Sequence, residues 1–360
     1  MKRLFDRYRQ FQALPADEVS RELRERRDEE RAREVVFVPE LDLGRTAWHE
    51  PPHPEAVNAA TFALRRRMNA YPDPAATEVR ELAADRHGLR PDQVAVGHGA
   101  AELLQDACAQ LLDGGELLVA WPGWRPLPDL AQRAGGRPVP VAGVDALAKR
   151  VGAETRAVAL ASPNDPTGAP VARADIRALC ERVGESVCVR LYEAFAVFLE
   201  PGEDAAPLVA ELPNLLVFRT FAKAHAMAGF RIGYVLAPTA ELAERLTPSF
   251  SVNAPAQAAA AWALELGDPV LARRRAAATR ERERLTHALH GTSLSFPPTA
   301  APFVWLSSET HDGTAIAQHL GVRRILVARG DRWGDERHVR ITLRDADATD
   351  RLIAALRELG

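Results

Sequence analysis

The sequence predicts an α/β protein with a mostly parallel sheet, followed by a smaller α+β part. Three observations predict it: short apolar runs recur between residues 94 and 236, helical patterns separate several of them, and the pattern changes after Leu266. Val94 to Val96, Leu117 to Val119, Ala157 to Ala161, Val187 to Leu191, Leu215 to Phe218 and Ile232 to Leu236 read as buried strands, because they are apolar without clear alternation. Ala101 to Leu112 and Ala172 to Val183 carry apolar residues at helical spacing between them, so the block reads as βα units. The second block opens with a long Arg/Ala/Glu helix, Pro269 to His290. Strand candidates follow at Leu294 to Phe296, Phe303 to Leu306, Ile325 to Val327 and Val339 to Thr342, and an amphipathic helix, Ala348 to Leu359, closes the chain. Before both blocks, the stretch to about Glu34 interleaves Arg and Glu and reads as a solvated helix laced with i,i+4 pairs.

With 360 residues, 47% of them hydrophobic, the chain can bury a sizeable core, and its net charge of −3 gives no electrostatic reason to expect a nucleic acid or anionic membrane as partner. No apolar stretch reaches the ~20 residues needed to cross a bilayer, and MKRLFDRYRQFQ lacks the apolar block of a signal peptide, so a cytoplasmic location is expected. Cys108, Cys180 and Cys188 form no CxxC and no cluster with metal-ligand spacing, which argues for buried apolar roles and against a metal. Only three residues are lysine (Lys2, Lys149, Lys223), so chemistry that needs a primary amine has few candidates.

The most informative segment is FRTFAKAHAMAGFRIGY, Phe218 to Tyr234. A strand ends at Thr220, Lys223 follows three residues later, and Arg231 lies eight beyond it. A lysine just past a strand end among alanines is desolvated, which depresses its pKa and makes the amine a usable nucleophile toward an aldehyde. Taken alone, a lysine in such a loop is more often a surface charge; the neighbours change that weight.

The segment resembles the cofactor-lysine motif of the fold-type I pyridoxal-phosphate enzymes, most closely the histidinol-phosphate aminotransferase branch. MNAYPDPAATEVRELAA (Met68 to Ala84), GHGAAELL (Gly97 to Leu104), WPGW (Trp121 to Trp124), SPNDPTG (Ser162 to Gly168), YEAF (Tyr192 to Phe195), SVNAPAQAAA (Ser251 to Ala260) and HVRIT (His338 to Thr342) follow in the family's order. The resemblance implies a seven-stranded, mostly parallel sheet between helices in a large cofactor-binding domain, residues 53–267. It implies a smaller C-terminal domain, residues 268–360, with residues 1–52 forming an N-terminal arm and part of the small domain. It implies that Lys223 holds pyridoxal 5'-phosphate as an aldimine, and that Ala100 and Ala101 offer backbone N–H groups to the cofactor phosphate, as a helix N-terminus can. Arg231 and Thr220 would reach the same phosphate, with Tyr71 supplied from the other subunit of a homodimer with shared active sites. Trp124 would stack on the pyridine ring and Arg340 would clamp the substrate carboxylate, for which a planar guanidinium is suited.

Three ring partners depart from the family's pattern: Asp165 stands for Asn, Tyr192 for Asp and Phe195 for Tyr. A phenol at Tyr192, with a reference pKa of ~10, donates a hydrogen bond to the pyridine nitrogen but does not supply the negative charge that keeps it protonated. An ionised Asp165 beside the ring phenolate is repelled, so Asp165 is expected either to hold a proton or to reach another polar group. The expected activity is amino transfer between an amino acid or amino phosphate and a 2-oxo acid. A decarboxylase resembling threonine-phosphate decarboxylase and a catalytically degenerate pyridoxal-phosphate-binding protein are the alternatives.

Overall fold

The apolar runs of the first block pair edge to edge. The computed structural model describes residues 24, 25 and 38–359, so apart from Arg24 and Glu25, which are helical, the helix expected before Glu34 lies outside the described residues. The chain divides into two compact units after Leu41, and the seven- and four-stranded sheets both lie in the second, Asp42–Gly360.

The seven strands are β1 (Val94–Gly97), β2 (Glu116–Trp121), β3 (Arg137–Ala142), β4 (Thr155–Ala161), β5 (Cys188–Tyr192), β6 (Leu215–Thr220) and β7 (Gly233–Leu236), in the order β1-β7-β6-β5-β4-β2-β3. Only β7 runs antiparallel to its neighbours. The loops that follow the other six strands therefore gather at one edge, the place where open α/β sheets bind ligands. Both faces are covered. Val96, Leu118, Val158, Leu160, Val189, Leu191 and Val217 point into one core, while Ala95, Leu117, Val119, Ala157, Ala159, Leu216 and Phe218 point into the other. The second core takes helix α1 (Ala100–Leu111), whose Leu103, Leu104, Ala107 and Cys108 fall on one face.

Six of these strands are those the sequence predicts. The seventh, β3, reads RPVPVA: its prolines suit an edge strand, where a missing N–H leaves no ladder bond unmade, and its alternation is too polar to resemble a buried run. The second block forms a four-stranded antiparallel sheet of β8 (Leu294–Ser295), β9 (Phe303–Ser308), β10 (Ala328–Arg329) and β11 (His338–Thr342), ordered β10-β11-β9-β8. It lies between helices α2 (Asp268–Leu289) and α3 (Ala346–Arg357) in the chain. We propose the domain division 53–267 and 268–360, because the seven- and four-stranded sheets each fall wholly within one of these spans; a two-stranded pairing with Ile325–Leu326 ties the segment before residue 53 to the second.

One buried ionic network fixes the ends of β5 and β6. Glu193 is buried directly after β5; it accepts the Ala205 N–H at 2.7 Å and the Arg219 Nε–H at 2.8 Å, while Arg219 Nη2 also reaches Asp204 at 2.7 Å. Burial pushes the Glu193 carboxyl up and Arg219 pulls it back, so the pair holds only while both partners are present. Glu193→Ala is expected to cost about 3–5 kcal/mol, read as a lower urea midpoint, because it leaves the part-buried Arg219 with only Asp204 as a counter-charge and the Ala205 N–H without its acceptor. A Glu193→Met, Arg219→Met double variant is expected to recover part of that loss, and an unchanged midpoint for the single variant would show that the network does not hold the strand ends.

Candidate active site

Lys223 leaves the sheet edge three residues past the end of β6. Its Nζ donates to Thr46 Oγ1 and lies 5.2 Å from the centre of the Phe195 ring. The neighbouring Ala224 is packed with Phe195, Phe198, Phe303 and Leu271, and its carbonyl accepts Arg274 Nη1–H from α2 at 2.7 Å. Burial in this apolar wall draws the lysine's pKa down to about 8; the Asp165 carboxylate opposes that, and Arg340 and Arg231 reinforce it. An amine of ordinary pKa, ~10.4, is almost wholly protonated at neutral pH, whereas this one keeps an appreciable neutral fraction.

Beside the amine lies an anion cradle. Gly99 adopts φ +86° at the start of α1, which favours glycine, and α1 has no side-chain cap on its first N–H groups. A Cβ on Gly99 would lie 2.7 Å from Arg231 Nη2, so the missing side chain lets the guanidinium close on the helix end. Gly233 is equally constrained: a Cβ there would meet the Ala100 backbone nitrogen at 2.7 Å. Because Gly233 pairs with Gly97 on one side and Thr220 on the other, the sheet brings Thr220, Arg231, Ala100 and Ala101 to one place. Among the described residues Arg231 bonds only carbonyls, those of Ala228 at 3.0 Å and His98 at 3.5 Å, so its charge has no acidic partner.

Arg340, on β11, is buried to 8% exposure rather than lying on a surface strand. Its Nη1 donates to Asp165 Oδ1 and its Nη2 to the Gly44 carbonyl at 2.8 Å, and its guanidinium carbon lies 5.1 Å from the Trp333 ring centre and 5.5 Å from that of Phe303. Of the two outcomes open to Asp165 in the sequence, the second is found: it reaches another polar group. Tyr192 lies within the electrostatic reach of both Asp165 and Arg231; burial first, and then the Asp165 charge, push its phenol well above the usual range and keep it neutral. Trp124 sits 5.1 Å from Tyr192, ring centre to ring centre, tilted by 56°. Tyr71 is 97% exposed and is not brought to the site within one chain.

Several contributors are not visible from the sequence. Thr46 and Gly44 lie in an irregular segment without a motif. Trp333 is joined to the end of β2 and the loop after it by two indole bonds, Trp121 Nε1–H to the Trp333 carbonyl at 2.8 Å and Trp333 Nε1–H to the Gly123 carbonyl at 3.0 Å. Glu193 does carry a signal, an acid inside the apolar run LYEAFAVF.

Residues 41–356 match the family model for aminotransferase class I and II. The chain belongs to that family. It is accordingly a pyridoxal-phosphate-dependent enzyme of fold type I, and amino transfer is its class of reaction. It is 36% identical to a histidinol-phosphate aminotransferase of Rubrobacter xylanophilus, with 85% of this chain and 88% of that protein covered. It is 33% identical to an aromatic amino acid aminotransferase of Rhodococcus opacus, with 83% and 85% covered. Its fold matches the crystal structure of histidinol-phosphate aminotransferase from Sinorhizobium meliloti in complex with pyridoxal-5'-phosphate, with a TM-score of 0.80 and 25% identity over 92% of this chain and 95% of that one. The residues present fit the cofactor: the cradle that a Cβ at Gly99 would fill and an arginine without an acidic partner suit a phosphate, and a half-buried amine of lowered pKa suits an aldehyde.

In the cofactor-free protein, labelling of Lys223 by trinitrobenzenesulfonate is expected to reach half its maximal rate near pH 8. Asp165 favours the charged amine, so Asp165→Asn moves the Lys223 midpoint downward. A midpoint above 10 by peptide mass mapping would show that the amine is not desolvated.

Proposed function

We propose that Lys223 is the residue at which this aminotransferase works, moving an amino group between an amino acid or amino phosphate and a 2-oxo acid. The observation that carries the reading is the desolvated amine of Lys223, within the electrostatic reach of Arg231 near a helix N-terminus and of Arg340 on β11. When bound, pyridoxal phosphate supplies the aldehyde that accepts the amino group and a ring that withdraws electrons from it. The cradle of Ala100, Ala101, Thr220 and Arg231 holds the phosphate, Trp124 and Tyr192 line the ring, and Arg340 orients the substrate. Near neutral pH the Lys223 amine would take the proton from the reacting carbon of the amino donor and, in the reverse half-reaction, deliver one to the corresponding carbon of the 2-oxo acid acceptor, a role for which its lowered pKa suits it. Thr46 accepts a hydrogen bond from that amine and holds it in place.

The names of the relatives favour amino transfer over decarboxylation and point to histidinol phosphate or aromatic amino acids as donors. The exposure of Tyr71 supports a homodimer in which that side chain completes the partner's phosphate site. Among the described residues no helix is long and apolar enough to cross a membrane, which is consistent with a cytoplasmic enzyme.

The test pairs a panel of amino acids with 2-oxoglutarate. Transfer is expected for at least one donor, and Lys223→Ala is expected to abolish it; transfer that survives this substitution would remove Lys223 from the mechanism. Arg231→Gln is expected to weaken binding of pyridoxal phosphate by about tenfold or more while leaving unphosphorylated pyridoxal unaffected, since a charge-assisted bond to phosphate is worth roughly 1.5–3 kcal/mol. Equal losses for both vitamers would place Arg231 away from the phosphate.

A further inference from the structure

Asp165 occupies the position a ligand carboxylate would need at Arg340. The Arg340 Nη1 and Nη2 groups are already engaged, by Asp165 and by the Gly44 carbonyl, and Nε is buried without a partner. Phe303 and Trp333 flank the guanidinium, so it has no room to turn a fresh edge toward the cleft. Asp165 itself is 6% exposed, and the backbone before it is pinned: the Asn164 N–H donates to the Ala169 carbonyl at 2.8 Å, and the Asn164 carbonyl accepts the Gly168 N–H at 2.7 Å. A carboxylate arriving from solution thus gains a charge-assisted donor pair only by breaking one that exists, and it leaves behind a desolvated carboxylate. An amide at position 165 imposes no such exchange.

We propose that Asp165 is a resident counter-ion of Arg340 that a substrate carboxylate must displace, which makes Asp165 a specificity-determining residue. It weakens ligands that carry a carboxylate beside the reacting carbon relative to ligands that lack one. The discrimination is built from repulsion: the binding cation stays, and a competing charge is added. Rotated away from Arg340, the side chain remains in the cleft, with Lys223 within its electrostatic reach. The inference rests on the reading of Arg340 as the substrate-orienting group.

Calorimetric titration of the pyridoxal-phosphate-loaded enzyme separates the two. The probes are 3-phenylpropionate and its carboxylate-free counterpart 3-phenylpropan-1-ol; the proteins are the natural chain, Asp165→Asn, Asp165→Ala and Asp165→Asn combined with Arg340→Gln, each checked by thermal unfolding. The acid is expected to bind at least tenfold more tightly to Asp165→Asn than to the natural chain, the alcohol equally to both, and the gain is expected to vanish in the double variant. Asp165→Ala gives the same ordering if the Asn variant does not fold. Equal affinity of the acid for the natural chain and Asp165→Asn, lost on removing Arg340, overturns this inference alone. A gain that persists without Arg340, or no binding of the acid to Asp165→Asn, overturns the reading of Arg340 and this inference with it.

Discussion

Two guanidinium groups, one buried and one largely buried, are held by carboxylates and hold the site together. Arg219 near the end of β6 is tied to Glu193 at the end of β5 and to Asp204 beyond it, and Arg340 on β11 is tied to Asp165 after β4. Each pair crosses between elements far apart in the chain, and each lies within a few residues of a group that faces the cleft. The desolvation cost of leaving either arginine alone is larger than the net benefit of the pair, so the interaction acts as a constraint on position more than as a source of stability. Strand ends are thereby held against fraying where Tyr192, Thr220 and Lys223 leave the sheet.

The three departures from the family's ring partners act together on that frame. Phe195 offers no hydroxyl; its ring packs edge-on against Phe303 at 5.0 Å and presents a face toward Lys223. Tyr192 replaces a carboxylate with a phenol that burial keeps neutral. Asp165 introduces a carboxylate but commits it to Arg340. Burial rather than any single charge is the main cause of the lowered Lys223 pKa, and the Asp165 carboxylate works against it.

The parallel core was legible because strands covered on both faces must be apolar throughout, and Val94 to Val96 or Ala157 to Ala161 have little other use. The edge strand RPVPVA was not, since an edge relaxes that demand and admits prolines. Lys223, Arg231 and Arg340 stood out through motif order and the scarcity of lysine. Thr46, Gly44 and Trp333 did not, because they act through a backbone carbonyl, one hydroxyl and indole bonds formed only after distant segments meet. The destination of Asp165 was open for the same reason: sequence shows that a carboxylate has replaced an amide, while the choice between holding a proton and finding a cation depends on how close Arg340 comes in space.

That closeness alters the charge of the cleft. Three cationic groups, Lys223, Arg231 and Arg340, face one carboxylate, Asp165, and a phosphate monoester brings about −1.5 to −2 near neutral pH. Cofactor phosphate and Asp165 together therefore come close to cancelling the cations. A carboxylate on a ligand would then meet little net positive charge. In a site with an amide at position 165, one cation would remain in hand for that purpose. The Asn-to-Asp change alters a single heavy atom of one side chain, yet it shifts the balance of the whole cleft by a unit of charge, and the burial of Asp165 and Arg340 leaves little water to screen the difference.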